Sequence, residues 1–298
     1  MHVFNIPASA PFLHTLIEAL VDGRLIDGFA ARANPELLAT ATLYLPTRRA
    51  GRLAREVFLD VLKLDAAVLP RIVQLKDIDE DEGLFADPDI RDSFDVPPTL
   101  NELERRLTLA KLVGAWAKLL RPDSSLIAPL VVGGPASTLA LATDLARLMD
   151  DMTTRGVDWN SLDGLVPDTL DRYWQLSLDF LKVAREMWPA YLTAAGCIEP
   201  ATRRDLLIAA EAERLKTHHR GPVIAAGSTG SIPATAKLLN AIARLPHGAV
   251  VLPGLDTDLD ADAWHGIGGH RNANGQYDVA PASNHPQFAL HGLLARFG

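Results

Sequence analysis

The opening stretch MHVFNIPASAPFLHTLIEAL, residues 1–20, decides how the rest of the chain is read. Val3 to Ile6 form an apolar run of strand type. From about Pro11 onward Phe12, Leu13, Leu16, Ile17 and Leu20 recur at helical spacing, with Gly23 placed to stop the helix. In many nucleotide-dependent enzymes the turn between such a strand and helix is a glycine-rich phosphate cradle ending in Lys-Ser or Lys-Thr. Here the turn is Pro7, Ala8, Ser9, Ala10 and Pro11. The frame for a phosphate loop is present without its glycines or its lysine.

The same strand-then-helix grammar recurs outward from this start. ATLYLP, Ala41 to Pro46, reads as a buried strand, and a helix follows from Arg48 to about Leu64 carrying Leu53, Val57, Leu59 and Leu62. RIVQL, Arg71 to Leu75, is a short third strand. Near the other end come PVIAAGS (Pro222 to Ser228), a helix from Pro233 to Leu245, and the strand AVVL (Ala249 to Leu252). Strands alternating with helices predict a parallel sheet with crossover helices.

Between them, from Pro97 to about His219, the pattern is helical throughout. One stripe runs through Leu103, Leu107, Ala110, Val113, Trp116 and Leu120, and a second through Trp174, Leu178, Leu181, Ala184 and Trp188. The order predicts a split α/β domain: residues 1–76, an acidic linker 77–96, a helical insertion 97–219, and a return to α/β over 220–298. No internal repeat at a fixed period is visible. Gly254 to Pro286 is long, polar and glycine-rich, which predicts a mobile loop.

With 298 residues, 48% of them hydrophobic and 22% charged, the chain has enough material for a large core. No run approaches eighteen uninterrupted apolar residues, and the N-terminus lacks the signature of a secretory signal, so the expectation is a cytoplasmic protein with no membrane partner. The single cysteine, Cys197, excludes an internal disulfide and a multi-cysteine metal site. A net charge of −8 argues against a uniformly basic nucleic-acid-coating surface and leaves local patches open. Acid is concentrated between Lys76 and Asp95, whereas Arg48, Arg49, Arg52 and Arg55 fall within two helical turns.

Three constellations carry possible chemistry. Thr47, Arg48, Arg49 and Arg52 follow directly on a buried strand, at the carboxyl end of a parallel sheet where α/β proteins place their ligands. Helix-start amides and guanidinium groups there suit phosphate oxygens. The alternative is a solvated first turn whose arginines pair with Glu56 or Asp60. GSTGS, Gly227 to Ser231, is a second strand-to-helix turn, readable as an anion pocket or as a structural turn and cap. No lysine precedes Lys237, and Ala225 and Ala226 stand where a nucleotide hydrolase keeps an Asp-Glu pair for magnesium. VVGGPAST, Val131 to Thr138, reads as a turn at Gly133, Gly134 and Pro135 before a helix start at Ser137 or Thr138.

Other signals point to structure. A calcium loop beginning at Asp77 would need Gly and Glu where Glu82 and Pro88 stand. The pairs His218 with His219 and His265 with His270 lack the spacing of a zinc site. Trp159, Trp174 and Trp188 sit on helical stripes, where core packing competes with base stacking.

The order of these segments resembles the first motor domain of a superfamily 1 helicase of the UvrD type. More closely, YLPTRRAGR, LPRIVQLKDIDEDE, AGSTGSIPATAKLLNAIARLP, GAVVLPGLD and HPQFALHGLLARFG resemble the N-terminal, helicase-like region of the AddB family in its alphaproteobacterial form. The resemblance runs over essentially all of the chain. It implies a P-loop NTPase-like sheet (1A-type) interrupted by an all-helical 1B-type insertion. IPASAP stands at helicase motif I, PTRRAG at the motif Ia position that contacts single-stranded DNA, and IAAGSTG at motif II.

On this resemblance Ala8, Ser9, Ala10, Ala226, Gly227 and Ser228 are a degenerate nucleotide site, and no ATP hydrolysis, cofactor or metal is expected. Thr47, Arg48, Arg49 and Arg52 become candidates for contact with single-stranded or unwinding DNA. The family implies an AddA-type motor subunit as partner and a role in double-strand break repair and recombination. It also implies a nuclease domain, with a cysteine-bound iron–sulfur cluster, further along than residue 298.

Overall fold

Five apolar runs pair into one all-parallel sheet: β1 (Val3–Ile6), β2 (Thr42–Leu45), β3 (Arg71–Gln74), β4 (Val223–Ala226) and β5 (Gly248–Pro253), in the order β1-β5-β4-β2-β3. The computed structural model that shows this describes residues 1–75, 96–119, 134–162, 172–219, 221–272, 274 and 277–298, and for 119 and 172–176 the backbone alone. Residues 77–95 of the acidic linker and Val131 to Gly133 lie outside those residues, as do Leu120 and the side chain of Trp174. Among the described residues no helix is long and apolar enough to cross a membrane.

The chain divides into two compact units, residues 1–94 with 207–298, and residues 95–206. In the first, α1 (Phe12–Val21) follows β1 and α2 (Arg48–Leu62) follows β2. Leu16, Ile17 and Leu20 of α1 and Ala54, Phe58 and Val61 of α2 share one core with Leu43, Leu45, Ile72, Ile224 and Val251 of the sheet. On α2 the buried face is Gly51, Ala54, Phe58 and Val61, whereas Leu53, expected on the apolar stripe, is 47% exposed. Gly51 sits in that face because a Cβ there would come within 3.3 Å of the Ile72 side chain.

The other face of the sheet carries α8 (Pro233–Ala243) and the C-terminal part of α7 (Pro200–Thr217). Pairing in the middle is β2 on β4, with Thr42 opposite Val223. The chain steps from β1 to β2 to β3 in one direction and returns through β4 to β5 in the other. Right-handed crossovers then put α1 and α2 on one side and α8 on the other, so connections diverge between β2 and β4.

A buried polar cluster lies in this unit. Tyr44, fully buried on β2, donates its hydroxyl to Glu211 Oε1 of α7. Arg214 donates to both carboxylate oxygens, Nε to Oε2 at 2.7 Å and Nη2 to Oε1 at 2.8 Å. Its Nη1 reaches the His218 carbonyl at 3.2 Å. Burial, with the Glu211 charge beside it, pushes the Tyr44 hydroxyl well above the ordinary tyrosine range.

The span 254–286, expected as a mobile loop, is instead partly regular. Asp260 caps α9 (Ala261–Gly268) by accepting from Ala263 N at 2.7 Å, and a hairpin follows, β6 (His270–Arg271) against β7 (Tyr277–Val279). Polar composition hid these elements because they are short and mostly exposed. A last helix, α10 (Phe288–Phe297), buries Leu290, Leu293 and Phe297.

The second unit is built from α3 (Glu102–Leu119), α4 (Pro135–Arg155), α5 (Arg172–Lys182), α6 (Trp188–Ala195) and the first turns of α7. Its ends meet where Thr99 bridges Ile198. Leu109, Val113 and Trp116 pack on Leu145, Met149, Val183 and Trp188. The expected α3 stripe is therefore displaced: Leu103 and Leu107 are exposed, and Arg105, Thr108 and Leu109 turn inward. At the start of α4, Gly134 is the N-cap and Pro135 the first helical residue, two to three residues earlier than expected. Between α5 and α6 one turn, Val183–Met187, is a π-helix. Pro189 explains it, because a proline has no N–H for the Arg185 carbonyl and its ring crowds that turn.

Candidate functional site

The carboxyl edge of the sheet gathers both sets of expected site residues, and its two sides differ. At the β1 side, the Pro7–Ala10 turn is closed by Ala10 N donating to the Pro7 carbonyl at 3.0 Å. Pro7 and Pro11 have no N–H to offer. Of the five turn residues only Ala8 and Ser9 keep an amide for any other acceptor, too few for a phosphate nest.

Protein contacts hold one flank of the turn, while Pro7, Ala8 and Ser9 themselves are exposed. Gly254, at the end of β5, packs so that a Cβ would lie 3.3 Å from the Ala8 methyl. Asn5 clamps the same corner, donating to the Leu255 carbonyl and accepting from Leu255 N, both at 2.9 Å. Gln287 adds a bond to the Gly254 carbonyl at 3.0 Å and accepts from Asp256 N at 3.2 Å.

The GSTGS turn after β4 is similarly engaged. Gly227 has φ +77, and a Cβ there would meet the Phe12 ring at 3.2 Å and Pro46 Cδ at 3.6 Å. Gly230 has φ +58, donates its N–H to Ser228 Oγ at 3.2 Å, and lies on Leu293 of α10. Arg296 donates to the Gly230 carbonyl at 3.1 Å. The Ser228 hydroxyl thus serves the turn, and Phe12 and Pro46 pack beside Gly227. Ala225 and Ala226 are buried in the sheet, and β5 separates β1 from β4, two strand spacings or roughly 10 Å. The residues expected as a degenerate nucleotide site thus lie on two turns at the carboxyl edge of the sheet, each with its own packing contacts. Among the described residues no three His, Cys, Asp or Glu side chains cluster as metal ligands.

The β2 side is open. Thr47 caps α2 by accepting from Ala50 N at 3.2 Å, which fixes where the helix begins. Arg48, Arg49 and Arg52 are exposed, as is Arg55 one turn on. Charge along the edge is asymmetric, with arginines after β2 and the exposed Asp256, Asp258, Asp260 and Asp262 after β5. An anion approaching this edge is drawn to the β2 end, next to the point where the crossovers diverge.

Phe12, Gln287 and Arg296 shape this edge and were not singled out in the sequence. Phe12 reads there as one more apolar helix residue. Gln287 and Arg296 act across 33 and 66 residues, a distance that no local pattern encodes. In comparisons with known proteins, no family model and no curated protein matches the chain.

Proposed function

We propose that this chain is a DNA-binding module on a P-loop-like frame that has given up nucleotide chemistry, the 1A-type domain of a superfamily 1 helicase fold interrupted by a 1B-type helical insertion. It holds single-stranded or unwinding DNA through the phosphate backbone at Arg48, Arg49 and Arg52. It acts beside a separate motor subunit of the AddA type in double-strand break repair, without hydrolysing ATP.

The observation that carries this is the exposed arginine cluster on the first turns of α2, at the carboxyl edge of a parallel sheet and beside the divergence between β2 and β4. Supporting it, the two turns that would grip a triphosphate and its metal have no lysine and no paired acids, and their glycines pack closely on Phe12, Pro46 and Ala8. The all-parallel sheet, broken after β3 by a helical unit, is compatible with the same frame.

The test is fluorescence anisotropy with a labelled single-stranded oligonucleotide over a salt series. Arg48→Ala with Arg49→Ala is expected to weaken binding about tenfold or more and to reduce the slope of log K against log salt by about 1.4, two phosphate contacts on a single strand. Unchanged affinity and slope in the double variant would end the DNA proposal. Calorimetry with ATP and magnesium is expected to give no heat, and micromolar binding there would replace it with a nucleotide-binding one. Co-purification with a motor subunit tests the partner separately.

A further inference from the structure

The helical unit contains a cavity of about 290 Å³, near the lower end of small-molecule sites. Two indoles line it, Trp159 from a short turn after α4 and Trp188 from α6, together with Met149, Ala184, Cys197 and Glu199. Ala184 and Trp188 reach it from either end of the π turn, a distortion found most often at functional sites. Pro189 and Thr193 also line the cavity and are exposed, so it opens to solvent on that side.

The charges behind the wall do not balance. Arg105, 7% exposed, is the guanidinium of a three-residue group. It donates to Asp150 from Nη1 at 3.1 Å and Nη2 at 2.9 Å, and Nη2 lies 2.6 Å from Glu199 Oε2. Trp188 Nε1 donates to Glu199 Oε1. One cation thus faces two carboxylates. The Glu199 Oε2 contact lies outside hydrogen-bond geometry, and Arg105 Nε is likewise buried without a hydrogen-bond partner, so the pair is imperfectly satisfied on both sides. Burial outweighs Arg105 and holds the Glu199 carboxyl above its ordinary range, a sign that the existing cation does not fully compensate it. Arg204, which donates to Asp205 and Thr154, and Arg185, which donates to Asn160, do not line the cavity.

An apolar chamber walled by two indoles, with surplus negative charge at one end, has the composition that recognises an organic cation with an apolar body. We propose that this cavity is a binding site for a small organic ammonium compound, its charge directed to Glu199 and its apolar part to Trp159, Trp188 and Met149. The site is independent of the DNA proposal, and the failure of either leaves the other standing.

The test is calorimetric titration of the full chain with phenethylamine and, as its neutral near-isostere, 2-phenylethanol. The amine is expected to bind saturably and about tenfold more tightly than the alcohol. Ala184→Phe, which fills the cavity, is expected to abolish binding. Glu199→Gln is expected to erase the preference for the amine. Asp150→Asn removes the same charge without touching the lining, is expected to reduce the preference about threefold, and keeps the test decisive if Glu199→Gln does not fold. Absence of binding, equal binding of amine and alcohol, or binding that survives Ala184→Phe would each overturn the proposal.

Discussion

Each unit holds a glutamate largely withdrawn from solvent, and the two glutamates live under opposite conditions. Glu211, 1% exposed, has both oxygens occupied by Arg214 and Tyr44, a closed set with one cation for one carboxylate. Glu199 competes with Asp150 for a single guanidinium and borders a cavity. The first carboxylate is tied to its surroundings, and the second is left partly underserved. Buried charge in this protein is a structural pin where it is saturated and a candidate binding feature where it is not.

Substituting the two glutamates is the most direct way to break that contrast. Glu211→Gln leaves the Arg214 cation buried without its carboxylate and is expected to cost about 3 kcal/mol or more. Glu199→Gln is expected to cost less than about 1 kcal/mol, because Arg105 keeps Asp150 and a poorly compensated charge is removed. Chemical denaturation of each variant measures this, and equal costs would refute the distinction.

The next effect is alkaline. The folded-state pKa of Tyr44 is raised, so the stability it contributes is present below the unfolded value of about 10 and is lost as pH rises through the folded value. Stability should fall above about pH 10 by up to about 1.4 kcal/mol per pH unit, and Tyr44→Phe should remove that slope. A Tyr44→Phe protein with the wild-type pH profile would show that the hydroxyl is not protected.

The smallest effect is acidic and sharpens the contrast within the helical unit. The Glu199 pKa is also raised, so its contribution is complete below the unfolded value of about 4.3 and declines as pH rises through the folded value. Relative to Glu199→Gln, the wild type should therefore lose stability on going from pH 4 towards neutrality. Tryptophan fluorescence follows this unit, since Trp116, Trp159, Trp174 and Trp188 lie in it and Trp264 is the other tryptophan of the chain.

The sheet was the legible part of the molecule. Its strands are apolar runs bounded by turn residues, and the sequence places all five within a residue or two of where they form. Strand order was not legible, because β5 enters between β1 and β4 through contacts separated by more than 240 residues. Helix faces were legible only in part. Leu103 and Leu107 continue an apolar period, yet inward positions go to Thr108 and to Arg105, whose guanidinium is held by Asp150, 45 residues away. The arginines after β2 could be read from their position behind a buried strand. The packing of Phe12 and Pro46 over Gly227 could not, since it depends on how three separate turns come together.

The pairing of β2 with β4 also governs how the protein is made. Thr42 meets Val223 only after the entire helical stretch has been synthesised, roughly 10–40 s later at ordinary translation rates. Through that interval β2 presents an unpaired edge and Tyr44 waits for Glu211. Until then β2 and β3 are the only two of the five strands whose mutual pairing is already synthesised, and this is the stage at which misassembly and chaperone capture are most expected.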